Sequence, residues 1–341
     1  MLVIGVKKFM MNTYDNQHRE QQKLSENILK TKPLIAIVGP TAVGKTDISI
    51  KVAERLPVST GIISADSMQV YKKMDIGTAK PSQEIRTKIP HYLVDNVEPD
   101  EEFSVGRYQK HAKSILNQLY QNKELPLLVG GTGLYVDALI YDFSMNELPK
   151  STKYRQELQQ KAEQDGLEQL YRKLEKVDPD AADRIHPNDQ RRIIRALEVY
   201  YYTGEPISQR QKRRYDSPYN LLIFGITMDR NKLYNKIETR VDQMIDQGLV
   251  EEVKYLLENG YHLQLTSMQG LGYKEIAGYL MGDYDLETAV QKLKKNTKRF
   301  AKRQLSWFRR DPNIKWLDIT ETDKSEICDK IIDMILKEYL E

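Results

Sequence analysis

Gly39-Pro40-Thr41-Ala42-Val43-Gly44-Lys45-Thr46 has the spacing G-x-x-x-x-G-K-[ST]. Glycines in such a loop let the backbone curl into a nest of N–H groups around one anion. The N-terminus of the following helix adds its positive end. Lys45 brings a full charge to the outer phosphate, and the Thr46 hydroxyl can ligate Mg²⁺. A second segment, Ile63-Ser64-Ala65-Asp66-Ser67-Met68-Gln69-Val70-Tyr71, carries an acid. Asp66 could take a proton from an attacking nucleophile. Asp and Ser are equally common as caps, so Asp66 could instead hold a helix start or stand behind a metal ligand.

Two further turns belong with these. Asp75-Ile76-Gly77-Thr78-Ala79-Lys80-Pro81 reads either as a phosphate contact or as a surface turn. Gly130-Gly131-Thr132-Gly133-Leu134-Tyr135 is a glycine-rich turn that brings backbone close to something, with the Thr132 hydroxyl beside it. Many P-loop NTPases hold Mg²⁺ with an acid at the end of an apolar strand. The strand at 125–129 runs into glycines without one. Asp95 and Asp66 are the possible substitutes.

These segments need a frame. Leu34–Val38 is a continuous apolar run ended by glycine, as in a buried parallel strand. Ile48, Val52, Ala53 and Leu56 then recur at helical spacing until Pro57. Gly61–Ser64, His91–Val94 and Leu125–Val129 read as further strands, with a helix at about 105–120. Strands alternating with helices imply βαβ units and a parallel sheet. Ligands of such sheets sit beyond the carboxyl ends of the strands, where Asp66 and Thr132 would share the rim of the phosphate loop. Helices alone follow, at 154–164, 167–176 and 190–202. Strands return at 221–226 and 315–317, and the chain from 231 on is mostly helical. The expected fold is α/β: a P-loop NTPase-like parallel sheet flanked by helices, with an inserted all-helical domain. Residues 1–31 read as a variable tail, 32–146 and 218–341 as the catalytic core, and 147–217 as the insertion.

Composition narrows the classes. The 341 residues hold 52 Lys and Arg against 49 Asp and Glu, a net charge of +3, so only the distribution of charge can speak for nucleic acid. A single cysteine, Cys328, excludes a disulfide framework and any multi-cysteine zinc site within the chain, and fits a reduced cytoplasmic setting. Met1–Met10 is too short for a membrane span and lacks the order of a signal peptide. Positive charge concentrates in 292–310, which has no acid, and in a second stretch from Arg184 to Arg214. Phosphate contacts from such stretches carry most of the affinity for RNA, although charge runs are often only solvated helix faces. Leu293, Phe300 and Trp307 are spaced to pack the first stretch on the core. Tyr200-Tyr201-Tyr202 cannot all face one way, so some should be core. His91, His186 and His262 lack ligand spacing.

Taken together, GPTAVGKT (39–46), ISADSMQVY (63–71), MDIGTAKP (74–81) and LVGGTGLY (128–135) resemble the tRNA dimethylallyltransferases, or tRNA isopentenyltransferases. So do RIHPNDQRRIIRALEVYYYTG (184–204), LYNKIETRVDQMIDQGLVEEV (233–253), QGLGYKE (269–275) and KRFAKRQLSWFRR (298–310). The resemblance runs from about Pro33 to the C-terminus. It implies transfer of the dimethylallyl group of dimethylallyl diphosphate to N6 of the adenosine 3′ of the anticodon, tRNA position 37, giving N6-isopentenyladenosine. By motif the loop belongs to the ATP- and nucleotide-binding class. The resemblance instead gives residues 39–46 (Gly39, Pro40, Thr41, Ala42, Val43, Gly44, Lys45, Thr46) the diphosphate of the prenyl donor, with Mg²⁺ on Thr46. It makes Asp66 the general base, sets Arg240 on the diphosphate, and puts Thr132 beside the adenosine. It brings Asp66, Ser67, Met68, Gln69, Thr132 and Arg155 to the tRNA. With them come Arg191, Arg192, Ile193, Ile194 and Arg195, and Gln269, Gly270, Leu271, Gly272, Tyr273 and Lys274. One cysteine leaves no zinc finger, as in the shorter bacterial type; a cytoplasmic monomer is expected. The rivals are an adenylate isopentenyltransferase acting on free nucleotide, for which the insertion and basic stretches have no use, and a small-molecule P-loop kinase.

Overall fold

The structure is a computed structural model and describes residues 26, 30–142, 152–210 and 215–340. Most of the sequence-expected tail thus lies outside the described residues. The described residues divide into two compact units, those of Met1–Ser144 with Asp216–Glu341 and those of Met145–Tyr215.

The first unit is built on six parallel strands: β1 (Pro33–Val38), β2 (Thr60–Ala65), β3 (His91–Tyr92), β4 (Leu125–Gly130), β5 (Asn220–Thr227) and β6 (Ile314–Asp318), in the order β3-β2-β4-β1-β5-β6. β1, β2 and β4 are buried at every position. That explains their unbroken apolar sequences, because helices cover both faces of a parallel sheet. The helices before the second unit are α1 (Lys45–Arg55), α2 (Gln83–Lys88), α3 (Val105–Gln121) and α4 (Gly133–Ile140). Ser82 and Ser104 cap α2 and α3 by accepting the N–H of Ile85 and Arg107. Sequence periodicity misses α2 because none of its residues is buried.

The second unit contains α5 (Thr152–Gln164), α6 (Leu167–Val177), α7 (Pro179–Ala182), α8 (Gln190–Thr203) and α9 (Ile207–Arg210). Its core gathers Leu158, Leu170, Leu174, Ile193, Ile194 and Leu197. Asp178 is buried and holds two helix starts, accepting the N–H of Ala181 at 3.0 Å and of Ser208 at 2.9 Å.

The first unit is completed by α10 (Arg230–Asp246), α11 (Leu249–Glu258), a 3₁₀ turn at Ser267–Gln269, α12 (Tyr273–Leu280), α13 (Leu286–Phe308) and α14 (Lys324–Leu340). α13 is the long basic helix, and it packs on α10, α12 and α4. Its buried face is Ala289, Leu293, Ala301, Gln304 and Phe308. Phe300 and Trp307, expected with Leu293, are only half-buried, because the inward stripe drifts toward Ala301 and Phe308. Among the described residues no helix is long and apolar enough to cross a membrane.

Candidate active site

Three strands end level. Val38 of β1 and Ala65 of β2 both pair with Gly130 of β4. The phosphate loop, Asp66 and the Gly131–Thr132 turn therefore leave the sheet at one rim. This register was not available from periodicity, which fixes neither strand order nor offset.

Within the loop, Ala42 (φ 62°) and Gly44 (φ 106°) take left-handed backbone, the alternation that turns successive N–H groups toward one point. A β-carbon on Gly39 would lie 2.5 Å from the Ile226 carbonyl oxygen of β5, so the loop enters where only glycine fits. Lys45 Nζ donates to the Pro40 carbonyl at 2.7 Å, spanning the loop. Loss of water around the Lys45 ammonium pulls its pKa down to about 7; the Asp66 carboxylate opposes this and the Arg240 guanidinium adds to it. Arg240, on α10, is itself pulled below its usual value by loss of water, against the attraction of Asp66 and Asp47. Lys45 and Arg240 thus lie close together at a half-buried rim beside Asp66, an arrangement that favours an incoming polyanion. The Thr46 hydroxyl, in the first turn of α1, makes no hydrogen bond among the described residues. Thr41 differs from its neighbours: its N–H donates to Gln304 Oε1 at 2.8 Å and is not offered to an anion.

Asp66 holds its own turn. Oδ1 accepts the N–H of Met68 at 2.9 Å and of Gln69 at 3.4 Å, holding the turn after β2. Oδ2 receives no hydrogen bond among the described residues. Thr132 clasps this aspartate from both sides: its N–H donates to Ala65 O at 3.0 Å, and its Oγ1 accepts the Ser67 N–H at 3.0 Å. Gln69 turns inward, with Oε1 3.1 Å from Ser64 Oγ and Nε2 donating to Thr78 O at 3.3 Å.

Several expectations are corrected. Asp95 is no substitute metal acid, because Lys80 and Arg86 each bond it at 2.5 Å. Lys80, with a side chain 2% exposed, is no phosphate contact either: it is spent on Asp95, Asp75 and the Tyr71 carbonyl. Thr78 Oγ1 donates to the Met74 carbonyl. Ile193 and Ile194 lie in the core of the helical unit, so the 191–195 stretch presents only Arg191, Arg192 and Arg195 to solvent. Arg192 lies 3.4 Å from Asp189. Arg155 and Arg195 both turn to Glu198, a carboxylate 3% exposed; Arg155 grips it with bonds of 3.0 and 2.6 Å. Tyr273 is fully buried, and Gly270 and Gly272 are buried beside it, which leaves Gln269, Leu271 and Lys274 as the accessible side chains of 269–274. None of Tyr200, Tyr201 and Tyr202 is core: Tyr201 stacks on Tyr154 with centroids 3.9 Å apart.

Two residues not singled out in the sequence hold the site together. Glu252 of α11 accepts the N–H groups of Asp75, Ile76 and Gly77 and the Tyr273 hydroxyl, all within 3.1 Å. Gln304 stands as a polar residue on the otherwise apolar face of α13, and that is the signal by which it could have been found.

Fold and site define a P-loop α/β protein whose phosphate cradle is paired with a carboxylate in place of the usual hydrolytic acid. The chain belongs to the IPP transferase family, whose model matches residues 69–311. It is 50% identical over 309 residues to the tRNA dimethylallyltransferase of Alkaliphilus oremlandii, covering 90% of this chain and 97% of that one. It is 53% identical over 290 residues to the tRNA dimethylallyltransferase of Desulforudis audaxviator, covering 85% and 93%. Among solved structures it is similar to the full-length tRNA isopentenylpyrophosphate transferase of Bacillus halodurans, with a TM-score of 0.68, 45% identity and coverage of 90% and 96%. A eukaryotic dimethylallyltransferase solved acting on tRNA matches with a TM-score of 0.76 at 28% identity, over 89% of this chain and 79% of that one.

Proposed function

We infer that this enzyme is a prenyltransferase that moves the dimethylallyl group of dimethylallyl diphosphate onto N6 of a tRNA adenosine, that of position 37. The observation that carries the chemistry is the Asp66 carboxylate on the rim it shares with Lys45, within the field of both Lys45 and Arg240. Family membership and relatives named for this reaction support it.

The adenine amine is a weak nucleophile, since its lone pair is delocalised into the ring. As N6 bonds to C1 of the donor, the C1–O bond breaks and its electron pair leaves with the diphosphate. Asp66 Oδ2 accepts the N6 proton, a role typically worth ~10²–10⁴-fold. Lys45, Arg240 and the backbone N–H groups of residues 42–46 hold the diphosphate and absorb its growing charge. Thr132 keeps Asp66 aimed at the acceptor. The adenosine must leave its stack to enter the site. Within the helical unit, exposed Arg191 and Arg192 are the side chains available to RNA phosphates.

Mg²⁺ fits the residues present. The Thr46 hydroxyl is a hard oxygen donor beside the cradle, and Mg²⁺ commonly takes one or two protein oxygens together with phosphates and waters. Among the described residues no group of three or more His, Cys, Asp or Glu could hold a metal alone, so the diphosphate would complete the site. Bound there, the ion would add charge stabilisation to the leaving group.

The test is a transfer assay with Mg²⁺, labelled dimethylallyl diphosphate and unmodified tRNA, with AMP and ATP as competing acceptors. Label on a tRNA adenosine is expected. Label on AMP or ATP, or movement of the ATP γ-phosphate, would overturn the reading.

A further inference from the structure

Both glycines that bracket Thr132 are crowded by α13. A β-carbon on Gly131 would lie 2.2 Å from Gln304 Nε2 and 3.2 Å from the Gly39 carbonyl oxygen; one on Gly133 would lie 2.2 Å from the Trp307 ring. The glycine-rich turn thus has its sequence because α13 presses into it. At the point of contact Gln304 is 6% exposed and uses both ends of its amide. Oε1 accepts the Thr41 N–H of the phosphate loop at 2.8 Å, and Nε2 donates to the Gly131 carbonyl at 2.9 Å. From Gly131 the path runs one residue to Thr132, whose two bonds pin Ala65 and Ser67 on either side of Asp66.

We propose that Gln304 is a positioning residue that sets the distance between the diphosphate cradle and the general base. The proposal rests on the transfer reading above. In-line displacement needs donor carbon and acceptor nitrogen in near-attack register, and small misplacements of the two halves are costly. The strand ends set the rim only to within the freedom of the loops that follow them. The amide of Gln304 removes that freedom, because it bonds both loops at once from a rigid helix. Glutamine suits the place where lysine or glutamate does not: one end must accept and the other must donate.

The two bonds can be separated. Gln304→Glu keeps an acceptor for Thr41 and, while ionised, lacks the donor for Gly131. Gln304→Met removes both at similar volume. Three readouts are compared with the unaltered enzyme: inorganic pyrophosphate binding by calorimetry, kcat and KM for label transfer to tRNA, and melting temperature. A net hydrogen bond corresponds to about 2–10-fold in an equilibrium or rate. For Gln304→Glu the expected result is kcat lowered about tenfold, with pyrophosphate affinity also lowered while the added carboxylate is ionised beside the cradle. That loss should recover as falling pH protonates the new carboxyl and restores a donor. Gln304→Met should lose both pyrophosphate affinity and kcat, at every pH. Unchanged kcat and pyrophosphate affinity in Gln304→Met would overturn the proposal. So would equal, pH-independent losses in the two variants, since a purely structural residue gives that result. Transfer by the unaltered enzyme separates failure of the proposal from failure of the reaction assignment.

Discussion

Lys45 Nζ lies 2.7 Å from the carbonyl oxygen of Pro40, at the opposite end of the same loop. The lysine is folded back on its own cradle, in surroundings dry enough to bring its pKa to about 7. A diphosphate entering the loop restores a partner for the charged form and pushes that value up. Binding above neutrality should therefore take up a proton. Pyrophosphate titrations at pH 8, in two buffers of different ionisation enthalpy, should show uptake approaching one proton, and Lys45→Met should abolish it. Absence of uptake would show that the lysine is already charged.

The same shift has a sign for stability. From about pH 7 up to the ordinary lysine value of 10.5 the unfolded chain holds a proton at Lys45 that the folded chain has released. Stability due to this group rises with pH across that window, because the cost of burying its charge is full below pH 7 and gone above 10.5. Urea denaturation at pH 7 and pH 9 should show Lys45→Met gaining more over the unaltered protein at the lower pH.

Asp66 holds its own turn, so a substitution that tests it as the proposed base must keep the turn. Asp66→Asn retains an oxygen for the Met68 N–H and loses the basic carboxylate. Single-turnover transfer should fall by at least ~10²-fold, the usual cost of a missing general base, with tRNA and pyrophosphate binding nearly intact. Unimpaired turnover would remove Asp66 from its assigned role.

Glu252 accepts three consecutive backbone N–H groups and a tyrosine hydroxyl. Glu252→Ala leaves those donors to water or to nothing and should cost about 2–3 kcal/mol, whereas Tyr273→Phe removes one bond and should cost about 1 kcal/mol. Urea midpoints measure both. Equal losses would mean that the bond to the Tyr273 hydroxyl, and not the three backbone bonds, is what Glu252 contributes.

Arginines of the helical unit divide by partner. Arg191 is exposed and Arg155 is locked on buried Glu198. Arg191→Ala should weaken RNA binding and flatten its salt dependence by up to about one counterion, without changing the melting temperature. Arg155→Ala should lower the melting temperature by about 4–8 °C for each kcal/mol lost in a unit of this size. A reversal of these two patterns would exchange their roles.

The sequence determined the strands, their alternation with helices, the phosphate loop and the acid that follows β2, because these depend on local hydrophobic period and on a contiguous motif. What it left open depended on neighbours distant in the chain. Asp95 looked available until the fold brought Lys80 and Arg86 to it. Ile193 and Ile194 fell within a candidate contact stretch until a helical face turned them inward. The glycine-rich turn at 130–133 gave no reason for its glycines until Gln304 and Trp307, more than 170 residues later, took up the space. A motif states which groups a segment offers. Strand register and helix packing decide which of them remain unpaired to meet a substrate, because buried polar groups first satisfy one another.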